Sequence, residues 1–202
     1  MTDEKKLIAQ IVNGDTDAFS QIVKAYENQV YNLCLRMCGN RDEAQDLAQE
    51  AFVKAWRGLR FYKHEAAFST WLYRLTSNVC IDYLRRQKRR AVISLTVGDE
   101  EAVQVDVQDP APTPEEQALD EQTKQSVAEA MKKLDEEFRM VLTLRVVQER
   151  SYEEIARIMD LKVGTVKSRL ARAREKLRKI LLESGNDFSS RTVKDSREED
   201  AP

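Results

Sequence analysis

The sequence predicts an all-α chain of two small helical domains, an N-terminal helical bundle and a C-terminal helix-turn-helix, joined by a flexible acidic linker. Three observations predict it. Apolar residues recur at spacings of three and four through most of the chain, as in helices with one buried face. Only four Pro and six Gly interrupt 202 residues, and three of the Pro (Pro110, Pro112 and Pro114) fall within the single stretch 93–121. Charge is segregated behind a net value of −2. Residues 1–92 carry 15 basic and 11 acidic side chains, 93–121 carry none and nine, 122–183 carry 15 and ten, and 184–202 carry three and five. Two basic blocks joined by an acidic strip suggest two polyanion-binding units on a connector.

Composition excludes several classes. No apolar run approaches the roughly 18 residues that span a bilayer. The N-terminus, MTDEKKLIAQ, lacks the apolar core of a signal peptide, so a cytoplasmic protein is expected. Three Cys (Cys34, Cys38 and Cys80) and the single His64 are a poor supply of disulfides, metal ligands or nucleophile–base pairs. No cofactor and no enzymatic activity are expected.

In chain order, residues 3–13 predict a short helix ending near Asn13-Gly14. A second helix over 15–38 carries the stripe Phe19, Ile22, Val23, Tyr26, Val30, Leu33, Cys34 and Met37, and Gly39-Asn40 ends it. Asn40 and Glu43 resemble a capping box for a helix over about 41–59, with Ala44, Leu47, Ala48, Ala51, Phe52, Ala55, Trp56 and Leu59 inward. Residues 60–67 predict a loop. A helix over about 68–87 turns Phe68, Trp71, Leu72, Leu75, Val79 and Leu84 inward and runs into RRQKRR. The acidic, Pro-containing segment 93–121 has no helical stripe and is expected to be a flexible linker. Helices resume over about 115–133 and 135–148, and the polar tail 184–202 is expected to be disordered.

The C-terminal pattern SYEEIARIMD–LKVG–TVKSRLARAREKLRKILL gives a short helix, a tight turn near Asp160–Lys162 and a longer basic helix. Ser151 and Glu154 make a capping box for the short helix, whose inward residues are Ile155, Ile158 and Met159. With Val166 at zero and about 100° per residue, Val163, Val166, Leu170, Ala173 and Leu177 share one stripe. Ser168, Ala171 and Arg172 lie on the far side, with Gly164 and Glu175, while Lys167, Arg169 and Arg174 lie at the flanks. Small or hydrogen-bonding residues at the centre permit approach to base edges. Cations at the rim hold phosphates.

The N-terminal unit has two outer features. Asp46, Gln49, Glu50, Val53 and Arg57 form one outer stripe. By pattern alone this is a solvated face, with Val53 in its middle suggesting a protein contact. Phe61, Tyr62, Phe68, Trp71 and Tyr73 crowd a segment that also carries Arg60, Lys63 and Arg74, a mixture suited to unstacked bases and a single-stranded backbone. Phe68 and Trp71 belong at least partly to the core, whereas Phe61, Tyr62 and Tyr73 are harder to place inside. Arg85, Arg86, Lys88, Arg89 and Arg90 suit duplex phosphates at the helix end.

Three stretches, DLAQEAFVKAW (46–56), FSTWLYRLTSNVCIDYLRR (68–86) and SYEEIARIMDLKVGTVKSRLARARE (151–175), resemble the extracytoplasmic-function sigma factors of the bacterial sigma-70 family. The resemblance covers about 10–92 and 120–182, with the motifs in the family's order and spacing. It implies a region 2 domain over 1–92, a linker over 93–121 and a region 4 helix-turn-helix domain over 122–183. It implies that Asp46, Gln49 and Glu50 dock on the clamp helices of the largest subunit of RNA polymerase core. It implies that the loop 61–68 with Asn78 captures a base flipped from the minus-ten element of promoter DNA. It implies that Thr165 to Arg174 enter the major groove at the minus-thirty-five element, with Lys167, Ser168, Arg169 and Arg172 at contact positions. Ala171 occupies a site bulkier in some relatives, so promoter preference does not transfer. No N-terminal autoinhibitory extension like that of larger sigma factors is expected, 93–121 leaves no room for their middle domain, and an anti-sigma factor partner is implied.

Two other readings stand beside this one. A ligand-sensing regulator with a helix-turn-helix would bind duplex DNA without polymerase, usually as a dimer, yet no heptad stripe is present. A zinc or redox site on Cys34 and Cys38 would need exposed, convergent thiols, whereas Cys34 lies on the apolar stripe, as a buried and inert thiol does.

Overall fold

The computed structural model describes residues 3–94 and 124–195, with side chains over 5–90 and 124–184. All regular structure among these residues is helical: α1 (Asp3–Val12), α2 (Thr16–Cys38), α3 (Arg41–Gly58), a 3-10 turn (Leu59–Phe61), α4 (Phe68–Ser94), α5 (124–132), α6 (Glu136–Leu142), a π-helical turn (Thr143–Val147), α7 (Tyr152–Met159) and α8 (Val163–Asp195).

The boundaries follow local chemistry. Gly14, at φ 98°, turns the chain out of α1, and Asp15 caps α2 by accepting from the backbone of Asp17 and Ala18 at 3.0 and 3.1 Å. Gly39 closes α2 in the left-handed region at φ 75°, its N–H donating to Leu35. Asn40 caps α3 by accepting from Asp42 and Glu43. Among the described residues only this half of the expected box forms, and the Glu43 carboxylate instead accepts from Gln87 at 3.3 Å. Ser151 and Glu154 do form the full box. Thr143 donates its hydroxyl to the Arg139 carbonyl at 2.9 Å. Such a competing bond suits the widened π turn that starts there.

Two helices overrun their expected ends. α4 continues through Arg90 to Ser94, because RRQKRR holds no breaker. α8 continues through Ser184 to Asp195, so the backbone over 184–195 is helical where a disordered tail was expected. The remainder of the linker, 95–121, and the tail beyond 195 lie outside the described residues, as does the start of the helix expected from 115.

α2, α3 and α4 pack around Leu33, Met37, Ala51, Phe52, Leu72 and Val79. α6, α7 and α8 pack around Met140, Leu144, Ile155, Ile158, Val166 and Leu170. Each fully buried aliphatic side chain contributes about 1.5–3 kcal/mol relative to exposure.

The two units share one continuous core, α4 lying against α6 and α7 and α2 against the π turn. Arg139 is the central pin, 6% exposed. Its guanidinium donates to the carbonyls of Met37 at 2.6 Å, Met131 at 2.8 Å and Lys132, within the last turns of α2 and α5. Burial pulls its pKa down, but a guanidinium remains charged, and the negative ends of the two helices face it.

Candidate nucleic-acid interface

The helix-turn-helix is built as the helical wheel requires. Val166, Leu170 and Ala173 are buried, and Val163 and Leu177 are half-buried, which fixes the roll of α8. Thr165, Lys167, Ser168, Ala171, Arg172 and Arg174 are then exposed. The turn between α7 and α8 runs through Asp160 at φ 56°, which lets the chain reverse within three residues. Ser168 donates its hydroxyl to the Thr165 carbonyl at 3.0 Å, leaving the oxygen free to accept. Arg169 departs from the expected free flank. It is half-buried and pairs with Glu137 of α6 at 2.8 Å. Lys167 hangs over the Tyr152 ring at 5.8 Å.

The aromatic segment splits into a presented and a packed part. Phe61 is 71% exposed, with the Arg60 guanidinium 4.9 Å from its ring centroid. Lys63 and Asn78 are also exposed. Tyr62 is half-buried among His64, Phe68 and Trp71, with ring centroids 4.5–5.8 Å away. Its hydroxyl donates to the Ala66 carbonyl at 2.6 Å and folds the loop back on itself. Trp71 lies half-buried over Gly58, where an added Cβ would come within 3.3 Å of the indole. A cleft of about 530 Å³ beside Tyr62, His64 and Phe68 is also lined by Lys5 and by Arg157 of α7.

Tyr73 corrects the sequence reading. It is 1% exposed rather than presented to solvent. Its hydroxyl donates to Gln148 at 2.7 Å, and the Arg150 guanidinium covers its ring at 4.4 Å. The α7 side of the C-terminal unit lies on that face of α4, and local periodicity carries no record of such a neighbour. Arg74 and Arg85 are exposed but engaged: Arg74 pairs with Asp160 at 2.9 Å, Arg85 with Glu136 at 3.2 Å and Glu137 at 3.1 Å. Arg86 stands 4.0 Å from Glu50.

On α3, Asp46, Gln49 and Val53 are exposed and Glu50 is half-buried, paired with Lys54 at 2.8 Å. They line one shallow groove with Lys54 and Arg57. Trp56, expected inward, sits at the rim at 37% exposure, edge-on to Phe19 at 4.9 Å.

The thiols lie close together, but two of the three are buried from solvent. Cys34 and Cys80 are fully buried with sulfurs 3.7 Å apart, and that hydrogen bond together with burial pushes the Cys80 thiol well up. Burial pushes Cys38 up to about 11. Among the described residues no group of three or more His, Cys, Asp and Glu is placed to hold a metal, and no helix is long and apolar enough to cross a membrane.

Sequence reasoning missed Arg139, Gln148, Arg150, Asp160 and the pair Glu136–Glu137. One signal was available: Arg139 stands inside the apolar run Phe138 to Leu142, where a charge must be buried with partners.

A short capped helix, a reversal and an amphipathic basic helix, joined to a helical bundle bearing aromatics and arginines, define a helix-turn-helix transcription factor. The chain belongs to the extracytoplasmic-function sigma factors of the sigma-70 family. The model of sigma-70 region 2 matches residues 22–90 and that of sigma-70 region 4 matches 124–177. The chain is 38% identical over 179 residues to the ECF RNA polymerase sigma factor SigW of Bacillus subtilis, covering 88% of this chain and 96% of that one. It is 39% identical over 181 residues to the ECF RNA polymerase sigma-E factor of Escherichia coli, covering 87% and 92%. Among solved structures, CnrH in complex with the cytosolic domain of CnrY matches with a TM-score of 0.60 at 27% identity, covering 87% of this chain and 94% of that one. RpoE of Bartonella quintana, solved with the anti-sigma factor NepR, has the same fold, with a TM-score of 0.61 at 24% identity over 81% and 96% of the chains.

Proposed function

We propose that this chain binds RNA polymerase core and directs promoter-specific initiation from the cytoplasm, without itself making or breaking a covalent bond. The outer stripe of α3, with Asp46, Gln49, Glu50 and Val53, docks on the clamp helices of the largest subunit. α8 reads duplex sequence at the minus-thirty-five element through Ser168, Ala171 and Arg172, with Thr165, Lys167 and Arg174 at its edges. Phe61, Lys63, Asn78 and the tilted Tyr62–Trp71 pair trap unstacked bases of the minus-ten element. The energy of that capture offsets strand separation. Arg85 and Arg86 hold the adjoining phosphates. Region 2 over 1–92 and region 4 over 122–183 act as the two grips, and each alone offers a small interface. Tethering both on polymerase makes the second DNA contact effectively intramolecular. An anti-sigma factor controls access to polymerase.

The observation that carries this reading is the roll of α8. Its apolar stripe is buried, and its small and basic residues are turned outward together. The test is run-off transcription with purified core polymerase on a genomic promoter library. Discrete start sites sharing an upstream and a downstream element are expected. Absence of any defined start would end the proposal.

A further inference from the structure

α1, the loop 62–67 and α7 border the cleft of about 530 Å³ beside Tyr62, a volume within the range of sites that take small organic ligands. Buried Ile8 and Phe68 form its floor. Lys5 reaches it from α1, His64 from the loop and Arg157 from α7. All three are exposed, and neither Lys5 nor Arg157 makes an ion pair among the described residues. His64 holds a left-handed backbone at φ 58°, uncommon for a residue with a side chain. Its ring lies tilted on Tyr62 at 4.5 Å, which keeps the imidazole at the cleft. Glu65 is the one carboxylate of the lining, facing Lys5, Arg157 and the titratable His64. Phe61, Lys63 and Asn78, the exposed residues assigned to base capture, are not in that lining.

We propose that this cleft is a binding site for a small organic phosphate, its anionic head between Lys5, His64 and Arg157 and its remainder over Ile8 and Phe68. The excess of cations over the single carboxylate selects an anion. Arg157 offers a planar fork that matches phosphate oxygens two at a time, and Lys5 adds a point charge. A bare oxyanion, a few times the roughly 30 Å³ share of one water molecule, leaves most of the volume unfilled, which selects an ester with an organic portion. Such a ligand touches α1 and the loop on one side and α7 on the other, so it ties the two units while it is bound. The chain then responds to the concentration of a solute through Lys5, His64 and Arg157, none of which the proposed function uses.

The test titrates inorganic pyrophosphate, the probe for the anionic head, into the full-length chain without polymerase or DNA, with sodium chloride holding the ionic strength constant. Calorimetry and the thermal midpoint are the two readouts. Saturable binding at one site is expected, with a midpoint that rises with pyrophosphate concentration, as a ligand of the folded chain alone requires. Lys5→Gln and Arg157→Gln, at exposed positions, are each expected to weaken binding about tenfold through loss of one charge-assisted hydrogen bond. Glu65→Gln is expected to tighten it. The control Lys6→Gln/Lys24→Gln removes two exposed cations outside the lining and is expected to stay within about twofold of wild type, because charges out of contact are screened by salt. Equal losses in the control and the cleft variants would leave only diffuse attraction to a basic surface and overturn the site. Heat that never saturates overturns it, and so does weaker binding by Glu65→Gln. A second arm measures a fluorescent single-stranded oligonucleotide on the same chains. If Lys5 and Arg157 support oligonucleotide binding while pyrophosphate fails to bind, the cleft belongs to the promoter path and the small-ligand site is lost. Initiation with core polymerase reports the proposed function separately, and its failure leaves the pyrophosphate result unchanged.

Discussion

The hydroxyl of Tyr73 donates to the amide oxygen of Gln148 at 2.7 Å, across 75 residues of sequence, and joins the two helical units from a buried ring to a half-buried amide. Tyr73→Phe removes the hydroxyl shared by Gln148 at 2.7 Å and Gln29 at 3.4 Å and leaves both amide oxygens without that donor, for an expected loss of about 1 kcal/mol. Tyr73→Ala also opens a cavity under Arg150, for an expected loss of about 3–5 kcal/mol. Urea unfolding followed by circular dichroism measures both. Equal losses for the two variants would mean that the ring packs nothing.

Arg139 binds the units through carbonyls rather than a carboxylate. Arg139→Met keeps much of the volume but strips the donors from Met37, Met131 and Lys132. The expected cost is about 3 kcal/mol, the range for taking one partner from a buried charged network. Arg139→Lys is not expected to rescue it, since an ammonium offers three donors from one point and not a planar fork. Thermal unfolding of both variants checks this. Near-wild-type stability for the lysine variant would show that charge alone suffices.

Much of each helix was legible because its own periodicity encodes its buried face. Val166, Leu170 and Ala173 face inward and Ser168, Ala171 and Arg172 outward, as about 100° per residue requires. The capping box at Ser151 was legible for the same reason: all its chemistry lies within four residues. Tyr73 was not legible, because α4 buries a second face against a unit that begins about fifty residues later. Arg139, Arg74 and Asp160 were missed for the same cause. Charged residues read as solvated until the partner from the distant segment is in place. The docking of the two units is a long-range fact, and it decides which candidate residues are free.

Ser151→Ala removes the acceptor for the Glu154 N–H and should cost about 1 kcal/mol of stability. The Glu154 carboxyl is held below its usual range, first by the Ser151 N–H it accepts from and then by the Ser151 hydroxyl and Arg150. A carboxylate whose folded pKa is depressed stabilises the fold above its unfolded value, about 4.3. It loses that contribution as pH falls through the lower folded value. Glu154→Gln should therefore match wild type more closely in acid than at neutrality, as denaturant midpoints across pH 3–7 will show. A gap that does not narrow towards acid would mean that the carboxylate charge contributes nothing.

Cys38 gives a chemical reading of the same core. Burial lifts its thiol from 9.0 to about 11. Since the thiolate is the reactive species, its fraction near neutrality falls roughly a hundredfold below that of an unperturbed thiol. Reaction with a disulfide reagent should be slow at pH 8 and accelerate steadily as pH rises, and in denaturant all three thiols should react promptly. Rapid native labelling at pH 8 by one thiol would contradict this environment for Cys38.

Under the proposed function, α8 separates base reading from phosphate holding, and the residues around it rank the effects. Arg172 is exposed at the centre of the outward face and makes no ion pair among the described residues. Its removal should cost about 1–3 kcal/mol of promoter discrimination and relax preference at one base pair. Lys167 sits at the rim, so Lys167→Ala should weaken all sequences alike and lower the salt slope by about one. Arg169 must first leave Glu137 before it can meet a phosphate. Arg169→Ala is therefore expected to cost less than Lys167→Ala, and the difference should vanish in a Glu137→Gln background. Holoenzyme binding to matched and scrambled upstream elements at several salt concentrations resolves all three. Equal, sequence-independent losses for Arg172 and Lys167 would show that α8 holds the DNA without reading it.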